Sequence, residues 1–279
     1  MKRIAALLTV HNRKVQTLRC LNNIFNSVGH EIEYHMDVYL TDDGCTDGTA
    51  DAVRSEFPQV HIVHGDGNLF WNRGMHKAWV EASVREYDYF VWLNDDTYLY
   101  DNAILRLLSC SYIFSDSNII IGSTCDTKGE GKVTYGGMDE NKEQLFSNTE
   151  PLECYYMHGN IVLIPNAVFK KVGYNDSYYR HSLGDHDYGL MARKKDIKVI
   201  LAPGFFGECD IHSSVAKWKD PKLSLRERHH FFYLPTGQNP FEFFHFRRKH
   251  YGLIPAIRTF ITNYIHLLFP SMWKNDDFR

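Results

Sequence analysis

Over the first 93 residues, short apolar runs alternate with segments whose apolar positions recur at helical spacing, and this alternation restricts the fold more than any other property of the chain. Residues 4–10 form a continuous apolar run that stops at the polar turn HNRK, and Leu18, Leu21, Ile24 and Phe25 then predict a helix over residues 15–27. Residues 35–41 read as a second strand, DDGCTDGT as a turn rich in capping residues with Asp47 as the cap, and 49–56 as a helix that ends ahead of Pro58. A strand at 60–64, the loop GDGNLFWNRG, a helix at 75–85 and an aromatic-rich strand at 87–93 complete the series. Strands separated by helices in this way imply an α/β fold: a Rossmann-like, mixed but mainly parallel sheet with helices on both faces. Ligands of such sheets lie beyond the carboxyl ends of the strands.

The middle of the chain is less regular. Short strands are expected at 119–124, 132–136 and 161–164, with mixed or antiparallel pairing, and helices at 166–172 and over DYGLMARKK. After Pro203 basic and aromatic residues interleave over helical stretches, which sets off a mostly helical C-terminal extension at 216–279 from a catalytic unit at 1–215. The 279 residues suffice for one core plus such an appendage, since single cores stop growing near ~250 residues. Lys and Arg number 31 against 34 Asp and Glu, so no net positive field favours nucleic acid as a partner. The six scattered cysteines contain no CxxC pair and suit a reducing, cytoplasmic compartment. The opening MKRIAALLTVHN reads as a first strand rather than a leader, and no run reaches the ~18 apolar residues of a membrane span.

Chemistry concentrates in three acidic clusters: Asp42-Asp43, Asp95-Asp96 and Asp185/Asp187, two of which directly follow an apolar strand-like run. A carboxylate at Asp42 or Asp43 suits a base imide N–H or a ribose hydroxyl, although an Asx turn explains the same pair as well. Adjacent carboxylates at 95 and 96 repel each other in a cleft unless a cation neutralises them, and oxygen-only ligands suit Mg²⁺ or Mn²⁺; solvated acids in a strand-end turn are the plainer reading. Asp185, just ahead of a helix, is placed to act as a general base or merely as a helix cap. Trp71 and Arg73 could meet a ring and a phosphate, or could simply pack. His158, His181, His186 and His212 raise a zinc site, but none has HExxH spacing. The absence of a P-loop, GxGxxG or GxSxG removes Walker-type NTPases, dinucleotide oxidoreductases and α/β-hydrolases.

Taken in order, TVHNRKVQTLRCL, LTDDGCTDGTADAV, GDGNLFWNRGMHKA, YFVWLNDDT, HGNIVLIPNAVFKKVGYND and LGDHDYGLMAR resemble the inverting family 2 glycosyltransferases of the GT-A fold, in particular the bacterial rhamnosyltransferase-like branch that builds surface polysaccharides. The resemblance covers residues 1 to about 215 and implies transfer of a sugar from a UDP- or dTDP-sugar to a hydroxyl of a saccharide or lipid-linked acceptor, with inversion and with Mg²⁺ or Mn²⁺. It assigns the nucleotide to Val10, His11, Arg13, Asp42, Asp43, Asn68, Trp71, Arg73, Asn94 and Asp95. Metal contacts fall on Asp96 and His212, the base on Asp185, and the acceptor on Asp187, His158 and Gly159. Two positions depart from the family pattern: Asn94 stands where the first Asp of DxD usually sits, and Gly184 where a Glu usually precedes the base.

Rival readings are a sugar-nucleotide pyrophosphorylase, whose N-terminal Gly-rich loop is missing from TVHNRK, and a non-catalytic carbohydrate-binding protein, which would need no metal-diphosphate pocket. The basic and aromatic extension is open to two readings, an element resting on the inner face of the cell membrane or helices packed on the catalytic unit or in a homodimer.

Overall fold

The structure is a computed structural model that describes residues 1–26, 34–211 and 216–272. Ser27, at the end of the first expected helix, His212 and the boundary at 215 lie outside the described residues. The chain runs β1 (Lys2–Val10), α1 (Lys14–Asn26), β2 (Tyr34–Asp42), α2 (Thr49–Glu56), β3 (His61–His64), α3 (Phe70–Ala82), β4 (Tyr89–Leu93), β5 (Tyr98–Leu99) and α4 (Ala103–Ile113). It continues through β6 (Ile119–Cys125), β7 (Val133–Tyr135), β8 (Gly137–Met138), β9 (Leu152–Cys154), β10 (Tyr156–Met157), β11 (Ile161–Pro165), α5 (Asn166–Val172), α6 (Gly184–Arg193) and β12 (Val199–Glu208). Helices α7 (Leu225–Tyr233), α8 (Pro240–Tyr251) and α9 (Leu253–Leu268) form the C-terminal extension.

The main sheet has the order β3-β2-β1-β4-β11-β6-β12-β5. The first four strands are mutually parallel, β11 runs antiparallel between β4 and β6, and β12 is parallel to β6. Strand β1 therefore has β2 on one side and β4 on the other, so the chain reverses its winding there, and a crevice opens beyond the carboxyl ends of β1 and β4. His11 and Arg13 follow β1, Asp42-Asp43 close β2, and Asn94-Asp95-Asp96 follow β4.

The strands are apolar on both faces because both faces are covered. Ile4, Ala6, Leu8 and Val10 of β1 join Val91 and Leu93 of β4 in a core against α1, α2 and α4. Ala5 and Leu7 join Phe90 and Trp92 in a second core against α3, α5 and α6, centred on the fully buried Trp79.

Two elements differ instructively from the spacing-based expectation. Helix α3 begins at Phe70, five residues ahead of the expected start, because the distant Asp43 carboxylate accepts the N–H groups of Gly67 (2.9 Å), Leu69 (3.2 Å) and Phe70 (2.9 Å). An anion supplied from another strand end satisfies donors that no local side chain caps. Helix α2 has Gly48 as its N-cap residue, while Asp47, one residue earlier, accepts from the Thr49 and Lys14 amides. The strand β12 and helix α4 lie outside the expected elements.

Candidate active site

A cavity of about 740 Å³ opens at the strand ends and is lined by His11, Arg13, Asp43, Trp71, Asn94, Asp95, Asp96, His158, Gly159 and Asp185, together with residues of the C-terminal extension. That volume suits a ligand larger than a single sugar ring.

Its electrostatic centre is Arg13, whose guanidinium reaches Asp95 Oδ1 and Asp96 Oδ2, both at 2.9 Å. Both acids are buried, and Thr17 Oγ1 also donates to Asp95. Burial pushes the Asp95 carboxyl up to about 6; Arg13 opposes the shift and the Asp96 charge adds to it. The Asp96 carboxylate meets the open cavity with an oxygen donor of the kind Mg²⁺ and Mn²⁺ take, and these ions commonly rest on one or two carboxylates and complete their shell with phosphate oxygens and water. The side chains present therefore fit such an ion bound together with a diphosphate. Among the described residues no three His, Cys, Asp or Glu side chains converge into a closed cage.

Asn94 does not stand in for an acid. Its Oδ1 accepts the Trp71 indole N–H at 2.8 Å, which fixes the tryptophan across the cavity wall, edge-on to Trp92. Gly159 is a glycine for steric reasons, since a Cβ there would lie 2.4 Å from the Trp71 ring.

Asp185 lies in the first turn of α6, with Oδ1 accepting the His186 N–H (2.8 Å) and Oδ2 the Gly159 N–H (3.0 Å). Burial raises its carboxyl above the usual range, and nearby His158 and the two amides counter part of that shift. His158, pushed down to about 4 by burial, and His186, pushed down to about 3 by burial and then by the Lys142 charge, are neutral at physiological pH. Asp185 is thus a half-buried carboxyl at a helix N-terminus with neutral imidazoles beside it.

The glycine before it also has a cause. A Cβ at Gly184 would fall 1.9 Å from Oδ1 of Asn72, a fully buried side chain that donates to the Asp176 and Tyr179 carbonyls and accepts from Asn175. Asn72 occupies the space that a larger residue at 184 would need.

Several expected site residues lie elsewhere. Arg73 is turned onto the Ser177 and Tyr178 carbonyls and clamps the loop leading into α6. Asn68 is exposed, outside the cavity lining, in a turn on Asp66. Asp42 accepts the Cys45 N–H as an Asx-type turn, and Val10 is core. Asp187, expected at the acceptor, is completely buried: Lys249 and His250 of α8 and Tyr179 all bond its carboxylate. Among cavity residues without a motif, Tyr135, Lys142, Trp218, Lys219 and Gln238 went unrecognised. Only the WKD of the basic-aromatic tail offered any signal for them.

The model of glycosyl transferase family 2 matches residues 6–173, the stretch that carries His11, Arg13, Asp43 and Asn94 to Asp96 at the strand ends. The chain belongs to glycosyl transferase family 2. Its architecture is that of the GT-A glycosyltransferases. S. aureus TarS superposes with a TM-score of 0.59 at 12% identity, over 96% of this chain and 55% of that one. A shorter TarS structure, residues 1–349, gives 0.53 at 13% identity over 96% and 72%. The mannosyltransferase PcManGT from Pyrobaculum calidifontis, in complex with GDP-Man and Mn²⁺, gives 0.56 at 13% identity over 99% and 82%. This family member spans about half the length of the first TarS structure. No curated protein sequence matches it.

Proposed function

We propose that the protein transfers a sugar from a nucleoside-diphosphate donor, UDP- or dTDP-linked, to a hydroxyl of a saccharide or lipid-linked acceptor by a single inverting displacement, in surface polysaccharide synthesis. The observation that carries this reading is that Asp185 and the Arg13–Asp95–Asp96 cluster line one cavity at the carboxyl ends of the family's strands. Arg13, His11 and Asp43 hold the nucleotide, His11 being itself held by a ring nitrogen on the Asp43 carbonyl. A divalent ion held at Asp96 would supply charge neutralisation to the departing diphosphate; a mannosyltransferase of the same fold is described in complex with GDP-Man and Mn²⁺. His212, outside the described residues, would add a second contact to it.

On the other side of the sugar, the acceptor oxygen bonds to the anomeric carbon as the anomeric carbon–phosphate oxygen bond breaks. The acceptor proton passes to Asp185, and the bonding pair leaves with the nucleoside diphosphate. The Gly159 and His186 amides orient the carboxylate and favour its charged form.

The acceptor is presented at an anionic membrane surface. Helix α9 exposes Ile254, Ile257, Ile261, Ile265 and Leu268 along one face, and residues 216–272 carry nine Lys and Arg against three Asp and Glu in a chain of net charge −3. Among the described residues no helix is long and apolar enough to cross a membrane, so the contact is peripheral.

Incubation with UDP-, dTDP- and GDP-sugars and Mn²⁺, reading release of nucleoside diphosphate and the anomeric configuration of the product by NMR, tests the reading. Release with an inverted anomer is expected. No release from any donor, or a retained anomer, refutes it.

A further inference from the structure

The residue that starts α6 holds a backbone conformation its type disfavours. Leu183 has φ 71° and ψ −14°, in the left-handed region where a Cβ crowds the backbone and which glycine enters freely. Among the described residues with φ in that region, Phe70 and Leu183 alone are large and apolar. Both line the cavity, Phe70 next to Trp71 and Leu183 two residues before Asp185. Strain kept by bulky residues at a cavity points to a use for the geometry it maintains.

The turn at Leu183 is forced from both ends. Before it, the Asn72 backbone N–H donates to the Arg180 carbonyl at 2.9 Å, and the Asn72 side-chain amide to the Tyr179 carbonyl at 2.8 Å. After it, Gly184 lies so close to Asn72 Oδ1 that a Cβ would fall 1.9 Å away. Residues 181–183 therefore turn the chain between two points that are both fixed on Asn72. A glycine at 183 would make that turn without strain, yet the position holds a leucine that is 8% exposed and joins the apolar cluster of Tyr179, Leu190 of α6, and Phe243 and Phe246 of α8. Leaving the left-handed region would draw the side chain out of that cluster, so its burial keeps the turn from relaxing.

The turn also decides where Asp185 stands. One oxygen of its carboxylate accepts the His186 N–H of its own helix, and the other accepts the Gly159 N–H of a separate segment. Only the second bond depends on where α6 begins. We infer that Leu183 is a positioning residue, whose side chain, buried with residues of α8, holds the turn that keeps Asp185 on Gly159 and in the cavity. The inference rests on the reading of Asp185 as the base for its effect on turnover, but the placement of the carboxylate does not depend on that reading.

Leu183→Gly keeps the turn accessible and removes the side chain, whereas Leu183→Met keeps the apolar bulk. In Leu183→Gly, hydrogen exchange read by NMR should show the Gly159 amide exchanging about tenfold faster or more, with the amides of β1 within about twofold of wild type. With Mn²⁺ and the UDP-, dTDP- or GDP-sugar that the wild type turns over, kcat should fall about tenfold or more while the donor KM moves less than about twofold. Leu183→Met should stay within about threefold of wild type in both measurements. An unchanged Gly159 amide in Leu183→Gly overturns the inference, as does turnover at the wild-type rate or a loss that appears in the donor KM instead of kcat. Loss of cooperative thermal unfolding in Leu183→Gly overturns it too, because the leucine would then hold the fold as a whole. If the wild type releases nucleoside diphosphate from no donor, the transferase reading fails, and exchange at Gly159 still decides whether Leu183 places Asp185.

Discussion

Asp185 draws its character from burial at a helix start rather than from its neighbours in sequence. Because its carboxyl is raised above the usual value, the carboxylate is protonated earlier on acidification than that of an exposed Asp would be. The acid limb of kcat/KM against pH should therefore lie above ~4, with activity falling as pH drops through it. Asp185→Asn should lower turnover by ~10²-fold or more and leave nucleotide affinity within about twofold, read by steady-state kinetics and calorimetry. Turnover at the wild-type rate would exclude it as the base. Asp95 is raised to about 6 by burial, against the pull of its partner Arg13. A carboxyl raised on folding stabilises fully below its unfolded value near ~4, and that contribution is lost as pH rises through about 6. The melting temperature of wild type minus that of Asp95→Asn should consequently fall between pH 4 and 7, and a flat difference would contradict the shift.

At the scale of elements, the helix carrying Asp185 is held from two directions. Asn72 and Arg73 of α3 pin the loop at 175–180, and α8 grips α6 through Lys249 and His250 on Asp187, with Lys249 also on Asp176. Arg180 pairs with Glu242 at 2.9 Å, Tyr156 and Tyr251 share a hydroxyl contact, and Phe243 and Phe246 pack with Tyr156, Tyr179 and Leu190. The C-terminal extension is therefore part of the frame that sets Asp185. Asp187→Ala removes the buried carboxylate that Lys249, His250 and Tyr179 share, leaving Lys249 only Asp176, and should destabilise by about 3–5 kcal/mol in urea unfolding. A loss under ~1 kcal/mol would mean that Lys249 and His250 find other partners.

For the whole molecule, the exposed face of α9 and the basic surplus of residues 216–272 predict adsorption to anionic membranes. Vesicles of phosphatidylcholine and phosphatidylglycerol should carry the protein in flotation, pure phosphatidylcholine should carry less, and Ile257→Glu with Ile261→Glu should abolish it. A concentration-dependent dimer with no flotation would assign the face to a second copy instead. The alternating strands and helices, the parallel half of the sheet and the acids at its carboxyl edge were all legible in the chain, because hydrophobic periodicity and strand-end residues are local properties. The pattern at Asp43, Asp96 and Asp185 was equally legible, since each closes or opens an element whose limits are locally encoded. Folding alone decided which neighbour each polar group meets. Asp43 caps a helix 27 residues away, Asn94 holds Trp71, Asn72 excludes a side chain at 184, and Asp187 is sealed under α8. Pairings of that kind depend on distances between segments remote in sequence, which no periodicity records, and they decide whether a carboxylate does chemistry or holds the scaffold.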